Sequence, residues 1–383
     1  MEKGYFDNNS TTPLDRRVLE AMHPWLEEHH GNPSSIHAFG RKTREAVEVA
    51  RDHVARLIGA EAPEIIFTAS GTESNNAVLM SCARRCGFAG SFVVASFEHP
   101  SIHAASELVG SLGIRVSSVP PEIDGCVDST RMIDAIEDDT VLVCLMLANN
   151  ELGTLQPVRE VAAAARGRGV PVLCDAVQAA GKISIDVADL GVDFLTLGGH
   201  KFHGPLGAAA LWIQGGVDFM PYLVGGSQER HRRASTVNVP AVVGLGEAAR
   251  LALDELEQRT AFLADLRSRF EDGVRAIPGA VIHCSGSPRL PNTSHIAFPG
   301  LDGHDLLIRM DLAGYAVSTG SACSSGSSSM STTMQALELP LEESAASLRV
   351  SFGMMNTGEE VDALLAALGV EVEALRPTSS ATL

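Results

Sequence analysis

Two short apolar runs near mid-sequence end in residues capable of acid–base and amine chemistry. Leu173-Cys174-Asp175-Ala176-Val177-Gln178 runs into a carboxylate, and Thr196-Leu197-Gly198-Gly199-His200-Lys201 into an imidazole and an amine. Buried parallel strands read as continuous hydrophobic runs, and open α/β sheets take their ligands just past the strands' carboxyl ends. If both runs are strands of one sheet, Asp175, Gln178, His200 and Lys201 converge on one crevice. A carboxylate and a lysine in a mostly apolar pocket suit a pyridine aldehyde: the acid pairs with the ring nitrogen and the amine condenses with the aldehyde. An ordinary salt bridge at a sheet edge would use the same two residues.

Three further stretches bear on that choice. Thr68-Ala69-Ser70-Gly71-Thr72-Glu73-Ser74-Asn75-Asn76 sits where a strand hands over to a helix, and the small residues there expose backbone N–H groups that suit a phosphate. A plain N-cap with Glu73 in the first turn reads the same way. In Phe97-Glu98-His99-Pro100-Ser101-Ile102-His103 the two histidines are four apart. Pro100 disfavours a helix starting before it and no glutamate lies between them, so no metal is expected; an imidazole stacked on an aromatic cofactor is the sharper reading. Asn149-Asn150-Glu151-Leu152-Gly153-Thr154 closes another apolar run, where adjacent amides are often turn formers. Four strand ends in order thus carry polar clusters, more than turns alone account for.

The elements that would position these residues alternate along the chain. Runs at Glu64–Thr68, Phe92–Ser96, Ile114–Val119, Val141–Leu147, Pro171–Cys174, Asp193–Leu197 and Ala208–Ile213 read as strands, several separated by helical segments such as Glu73–Cys86 and Val158–Arg168. That alternation predicts a mostly parallel seven-stranded sheet covered on both faces, in a large α/β domain. Helices are also predicted from Asp15 to about Glu28 and over Arg41–Leu57. After Val239-Pro240 one long helical stretch runs from Ala241 to about Ala276, followed by a smaller α+β segment to about Leu375. Residues 1–14 are expected to pack with that small domain. The divisions are then 15–259 for the large domain, 260–375 for the small one and 376–383 for a disordered polar tail.

Composition narrows the class. Of 383 residues 45% are hydrophobic and 20% charged, as in soluble globular proteins. No apolar run approaches the roughly 20 residues of a membrane helix, and the opening lacks a signal-peptide pattern, so a cytoplasmic protein is expected. A net charge of −18 disfavours direct binding to nucleic acid or anionic lipid. Seven cysteines without a secretory signal do not suggest a disulfide framework. Cys144 and Cys174 lie inside apolar strands and read as buried hydrophobes, whereas Cys323 stands in Ser321-Ala322-Cys323-Ser324-Ser325-Gly326. Small flanking residues there suggest an accessible thiol, which a structural cysteine does not need.

The whole pattern resembles the cysteine desulfurases of the NifS/IscS kind, in the class V aminotransferase group of pyridoxal-phosphate enzymes. The likeness runs through FDNNSTTP, NPSSIH, SGTESNN, EHPSI, NNELGTLQ, CDAVQ, GGHKFHGPLG, GSQER, GSACSSG and LRVSFGMMNTGEEVD, ten motifs in order over nearly the entire chain. The resemblance implies a fold-type-I homodimer with pyridoxal 5'-phosphate held by Lys201 through a Schiff base. Asp175 would keep the pyridine nitrogen protonated, Gln178 would bond the ring hydroxyl, and His99 would stack on the ring and shuttle protons. Gly71, Thr72 and His200 would bind the phosphate, and Thr236 would reach the neighbouring subunit's phosphate. Asn150 and Arg349 would fix the substrate carboxylate, a bidentate task suited to a guanidinium. Cys323 would be the nucleophile, its thiolate taking sulfur from L-cysteine as a persulfide, leaving L-alanine, and passing the sulfur to an acceptor protein.

Four positions depart from the family pattern. Gly198 stands where the family usually has a serine, three residues before the lysine. In GGSQERHRRAST, Ser227, His231 and Ser235 replace family glycines. These bear on cofactor affinity and the inter-subunit contact more than on reaction type. A selenocysteine lyase, a class V aminotransferase, or a sulfur-relay scaffold with a decayed cofactor site remain alternatives at this stage. Iron–sulfur assembly, tRNA thiolation, DNA sulfur modification and small-molecule thiolation all draw on such enzymes, and nothing in the sequence separates them.

Overall fold

The computed structural model describes residues 4–319 and 331–376. Its principal sheet has seven strands, in the spatial order Ile65–Thr68, Ala209–Ile213, Phe194–Gly198, Val172–Asp175, Thr140–Cys144, Ser91–Ala95 and Arg115–Val119. Ala209–Ile213 is antiparallel to both its neighbours, and the other six strands run one way. The central strands are buried along their whole length, which is why they carry near-continuous Val, Leu, Ile and Phe rather than an alternating pattern. Cys144 and Cys174 are two of these fully buried positions.

Six strands pointing one way put their C-terminal ends along one edge. The helix Gly71–Arg85 starts there, as do the His99 turn before the helix Pro100–Ser111, the Asn149-Asn150 turn, the Asp175 end and the short 3-10 turn Gly199–Lys201. The segment predicted as strand to Leu147 leaves the ladder at Cys144, where its pairing with Ser91–Ala95 stops at Val94. Pairing persists on the other side, where Leu145 and Leu147 donate to the carbonyls of Leu173 and Asp175 at 3.0 and 2.9 Å.

The single helix predicted for 241–276 is two, Val239–Asp254 and Leu256–Arg275, broken at Glu255. Each half faces a different core. Val242, Leu245, Ala248 and Ala252 join the core beneath the large sheet, whereas Leu263, Leu266, Phe270 and Val274 join a second core built on the antiparallel strands Val281–Ile282, Thr293–Ala297 and Ser347–Ser351. One straight helix cannot serve both, and Glu255 at the break is tied to Arg17 and Arg259. A Cβ at Gly246 would meet the Ala50 Cβ at 2.5 Å, so glycine there lets Val239–Asp254 lie directly on the helix Ala38–Leu57. The N-terminal segment belongs to the second core: Gly4–Tyr5 pairs with Tyr315–Ala316, and Phe6 is buried against Tyr315 and Phe352. No helix among the described residues is long and apolar enough to cross a membrane.

Candidate active site

Asp175 ends its strand directly beside Thr196 on the next one, and Lys201 follows five residues past Thr196. The Asp175 carboxylate is buried and held at both oxygens, by Asn75 Nδ2 at 2.8 Å and by the Val177 N–H at 3.0 Å. Asn75 Nδ2 also donates to Ser101 Oγ at 2.9 Å. Ser101 in turn lies 2.8 Å from His99 Nδ1, and its backbone N–H caps that nitrogen at 3.1 Å. The cap makes Nδ1 the acceptor, so the neutral ring carries its proton on Nε2. Burial lowers the His99 pKa, with Lys201 and His103 acting the same way and Asp175 opposing, so one crevice couples all three of His99, Asp175 and Lys201. Beneath them Glu98 is fully buried, and burial together with the charge of Asp175 lifts its carboxyl well above the usual range.

Lys201 Nζ donates to the backbone carbonyls of Asn9 and Ser10 at 2.6 and 2.7 Å. Gln178 Nε2 shares the Asn9 carbonyl at 2.9 Å, and its Oε1 accepts from the fully buried Lys182 amine at 3.0 Å. Burial pushes the Lys182 pKa well down, and the charges of Lys201 and Arg349 add to this. Asn9 knits the site together: its Nδ2 donates to Asn150 O and Thr293 Oγ1, its Oδ1 accepts from Asn292, and its own N–H donates to Ser351 Oγ.

At the helix Gly71–Arg85, Gly71 and Thr72 hold the first two positions, whose N–H groups face no preceding turn. A Cβ on Gly71 would fall 2.8 Å from Val177 Cγ2, whereas one on Gly198 would find only Val177 and His200 carbons, at 3.6 and 3.8 Å. Gly71, Val177, Gly198 and His200 are therefore neighbours at a helix N-terminus. His200 bonds Thr11 Oγ1 through Nδ1 at 3.1 Å, and burial with the charges of Lys201 and Lys182 pushes its pKa down to about 4. Glu73, in the same first turn, would repel an anion, but Arg233 pairs with both its oxygens at 2.8 and 3.1 Å. Thr236, three residues on, is exposed.

Arg349 is buried, donating to Asp7 Oδ1 at 2.7 Å, Ser10 Oγ at 2.9 Å and Asn150 O at 3.1 Å. The predicted residues Lys201, Asp175, Gln178, His99, His200, Gly71, Thr72, Asn150 and Arg349 thus share the strand-end edge and the N-terminal segment crossing it. Cys323 lies outside the described residues. Asn9, Asn75, Ser101, Asp7 and Lys182 were not singled out from sequence. Asn75 and Ser101 stand inside SGTESNN and EHPSI, and Asp7 and Asn9 inside FDNNSTTP, so the motifs offered a signal for all four, but not which distant residues they would bond.

The site fits a pyridoxal phosphate. A buried carboxylate fixed at both oxygens suits a pyridinium, a helix N-terminus with glycines beside it suits a phosphate, and the Lys201 amine follows the end of the strand next to Asp175. Thr196 Oγ1 and Asn75 Oδ1 are buried in this region without hydrogen-bond partners among the described residues, polar atoms an occupant could satisfy. A sheet of this order with such a constellation at its strand ends defines a pyridoxal-phosphate transferase.

Comparison with known proteins narrows this further. Residues 4–364 match the family model for aminotransferase class-V, and the chain belongs to that pyridoxal-phosphate-dependent family. Within it the likeness is to cysteine desulfurases. The chain is 42% identical over 382 residues to the cysteine desulfurase IscS of Methanosarcina thermophila, covering 99% of this chain and 94% of that one. A solved NifS-like protein superposes with a TM-score of 0.92 at 34% identity, covering 98% of this chain and all of its own. A structure of SspA in complex with cysteine superposes with a TM-score of 0.82 at 30% identity, covering 91% of this chain and 98% of that one.

Three of the four departures can now be weighed on geometry. Gly198 has an extended backbone, φ −132°, and a Cβ there would make only ordinary van der Waals contact, at 3.6 Å or more, so a serine's Cβ displaces no neighbour. Gly198→Ser should add a hydroxyl donor to a bound phosphate and tighten the cofactor by about tenfold. Titration of the apoprotein by cofactor absorbance checks this, and an unchanged dissociation constant would show that the phosphate does not lie over Gly198. Ser235 and His231 occupy left-handed backbone, φ +100° and +64°, where glycine is at ease. Ser235→Gly should raise stability by about 1 kcal/mol, net of the freer unfolded chain. The readout is the urea midpoint at fixed protein and cofactor concentration, and a lower midpoint would contradict the strain argument.

Proposed function

We propose that this chain is a cysteine desulfurase that removes sulfur from L-cysteine, leaving L-alanine, with Cys323 as the sulfur-accepting nucleophile. The observation that carries the reading is the convergence of five strand ends and one arginine on a single crevice, in a chain of the class-V family. Bound there, pyridoxal 5'-phosphate supplies an electron sink for the charge left when the substrate's Cα–H bond breaks. Asp175, fixed by Asn75 and Val177, would hold the ring nitrogen's proton, and Gln178 would turn its amide to the ring hydroxyl. Gly71, Thr72 and His200 would take the phosphate, and Lys201 would hold the aldehyde carbon and exchange the substrate's proton.

His99, kept neutral by burial, would lie over the ring and exchange a proton through Nε2. Arg349 and Asn150 would take the substrate carboxylate, Asp7 keeping the guanidinium aimed until it arrives. The Cys323 thiolate would attack the substrate's sulfur. The Cβ–S bond then breaks with its electron pair leaving on carbon, which is protonated on the way to alanine, and the sulfur stays on Cys323 as a persulfide. An acceptor protein's thiol would collect it next.

We also place the enzyme in the cytoplasm as a homodimer. The exposed Thr236 and the neighbouring exposed Leu223 and Val224 support an inter-subunit face on the loop that holds them. The division into a large domain at 15–259 and a small one at 260–375 is supported by the two separate cores. The test is to incubate the cofactor-loaded protein with L-cysteine and a thiol and to quantify products. Alanine and sulfide in equal amounts are expected. A keto acid in place of alanine would make it an aminotransferase, and turnover confined to selenocysteine would make it a lyase for that amino acid.

A further inference from the structure

Three strands of the second core and the chain leading to the Cys323 region place four residues in one lateral row. Ile282 pairs with Ile296, and the ladder carries one step further, the His283 N–H donating to the His295 carbonyl at 2.9 Å. His295 pairs with Arg349, and Arg349 bridges to Ser318. Residues directly opposite one another on adjacent strands project to the same face. The side chains continue the row. Glu343 Oε1 lies 2.8 Å from His283 Nε2, and His283 Nδ1 lies 2.7 Å from His295 Nδ1. Both rings are buried, His295 completely, and His295 Nε2 and Arg349 Nε have no hydrogen-bond partner among the described residues.

The protons in this row can be placed by elimination. A carboxylate only accepts, so His283 carries a proton on Nε2. One proton fits between two ring nitrogens 2.7 Å apart, and with His283 neutral it sits on His295 Nδ1. His295 Nε2 is then a bare lone pair on the ring nitrogen not engaged by His283, and Arg349 lies opposite His295 on the adjacent strand. Any proton added to the pair has only that nitrogen left to occupy, where it would set a second positive donor beside a buried guanidinium. Burial lowers both pKa values; for His295 the charges of His283 and Arg349 add to it, and for His283 Glu343 opposes it. The other charged groups that act on Arg349 are Asp7, which pairs with it, and Glu151 and Lys182, which feel its charge.

We propose that Glu343, His283 and His295 are positioning residues for Arg349: the acid at one end fixes the tautomers so that an unprotonated ring nitrogen faces the arginine at the other. The guanidinium then keeps its place between Asp7, Ser10 and Asn150, with its charge directed at the incoming carboxylate of the substrate. This rests on the reading of Arg349 as the carboxylate anchor. The row reaches from the outer helix Leu341–Ser344, where the Glu343 side chain is 23% exposed, to the crevice.

The test uses the cofactor-loaded enzyme and three variants, Glu343→Gln, His295→Leu and Arg349→Lys. Glu343→Gln and His295→Leu should each raise KM for L-cysteine about tenfold, with kcat within about twofold of the parent. The dissociation constant for L-alanine, read from cofactor absorbance, should rise in parallel. Arg349→Lys should raise both further, because a lysine cannot make the bidentate contact. If Arg349→Lys raises KM while both other variants leave it unchanged, the positioning row is wrong and the anchor stands. If Arg349→Lys leaves KM unchanged, the anchor reading fails and takes the row with it. Should His295→Leu not fold, Glu343→Gln decides, together with nitrogen-15 spectra of histidine-labelled enzyme. Those spectra should show His295 protonated at Nδ1 and bare at Nε2, and the opposite tautomer would overturn the proposal.

Discussion

Replacing Lys201 with alanine is expected to leave a protein that folds, binds pyridoxal 5'-phosphate weakly and cannot be reduced by borohydride to a covalently labelled chain. The lysine holds no part of either hydrophobic core. Its amine bonds two backbone carbonyls, those of Asn9 and Ser10. The Asn9 carbonyl keeps the Gln178 amide as a donor and Ser10 is only half-buried, so the loss costs on the order of 1 kcal/mol rather than the fold. The chemistry loses much more, because the amine both tethers the aldehyde and exchanges the substrate's proton. Loss of a positioned acid–base group alone costs about 10²–10⁴ in rate. Sulfide release should fall by at least that factor, measured with saturating L-cysteine and cofactor. A borohydride-stable adduct on the Lys201→Ala chain would place the tether elsewhere and remove the basis of the proposed function.

The second large effect concerns Cys323. Cys323→Ser should leave the absorbance of the bound cofactor intact and reduce sulfide release to the background of free cofactor and thiol. A serine hydroxyl is far less nucleophilic toward sulfur than a thiolate, and an oxygen–sulfur product would not pass its sulfur to an acceptor thiol. Of the six described cysteines, Cys86 sits at the C-terminal end of the helix Gly71–Arg85, opposite the end that borders the site, with its Sγ donating to the Ala83 carbonyl, and burial makes the other five poor substitutes. Burial raises the pKa of Cys144 and Cys174 well above the thiol range, and lifts Cys126 to about 11 and Cys82 and Cys284 to about 12. Thiols held protonated in this way are poor nucleophiles near neutral pH. Sulfide release by the serine variant at the parent rate would mean that Cys323 is not the sulfur carrier.

The large sheet was legible because six of its seven strands are buried nearly throughout and read as apolar runs with polar residues at their ends, the exposed edge strand Arg115–Val119 being the exception. Asp175 and Lys201 were legible for the same reason, standing where those runs stop. The break at Glu255 was not. No glycine or proline marks it, and both halves have good helical spacing, so only the existence of two cores decides where the helix divides. Asn9 and Asp7 were hidden because their partners lie more than 140 residues away in sequence, at Asn150, Lys201 and Arg349. The His283–His295 row was hidden for a related reason. Two histidines twelve residues apart carry no periodic signal, and strand register alone makes them neighbours.

The bonds of Asn9 set an order of events in the making of the protein. Its backbone N–H is satisfied by Ser351, and its side chain by Asn292 and Thr293, while its carbonyl receives the Lys201 amine. A nascent chain that has only just exposed residue 201 outside the ribosome possesses the lysine but not the frame that orients it. That frame closes only once the strand Ser347–Ser351 has emerged and folded back on the first ten residues. A chain cut short before that strand would carry the amine without the scaffold that aims it.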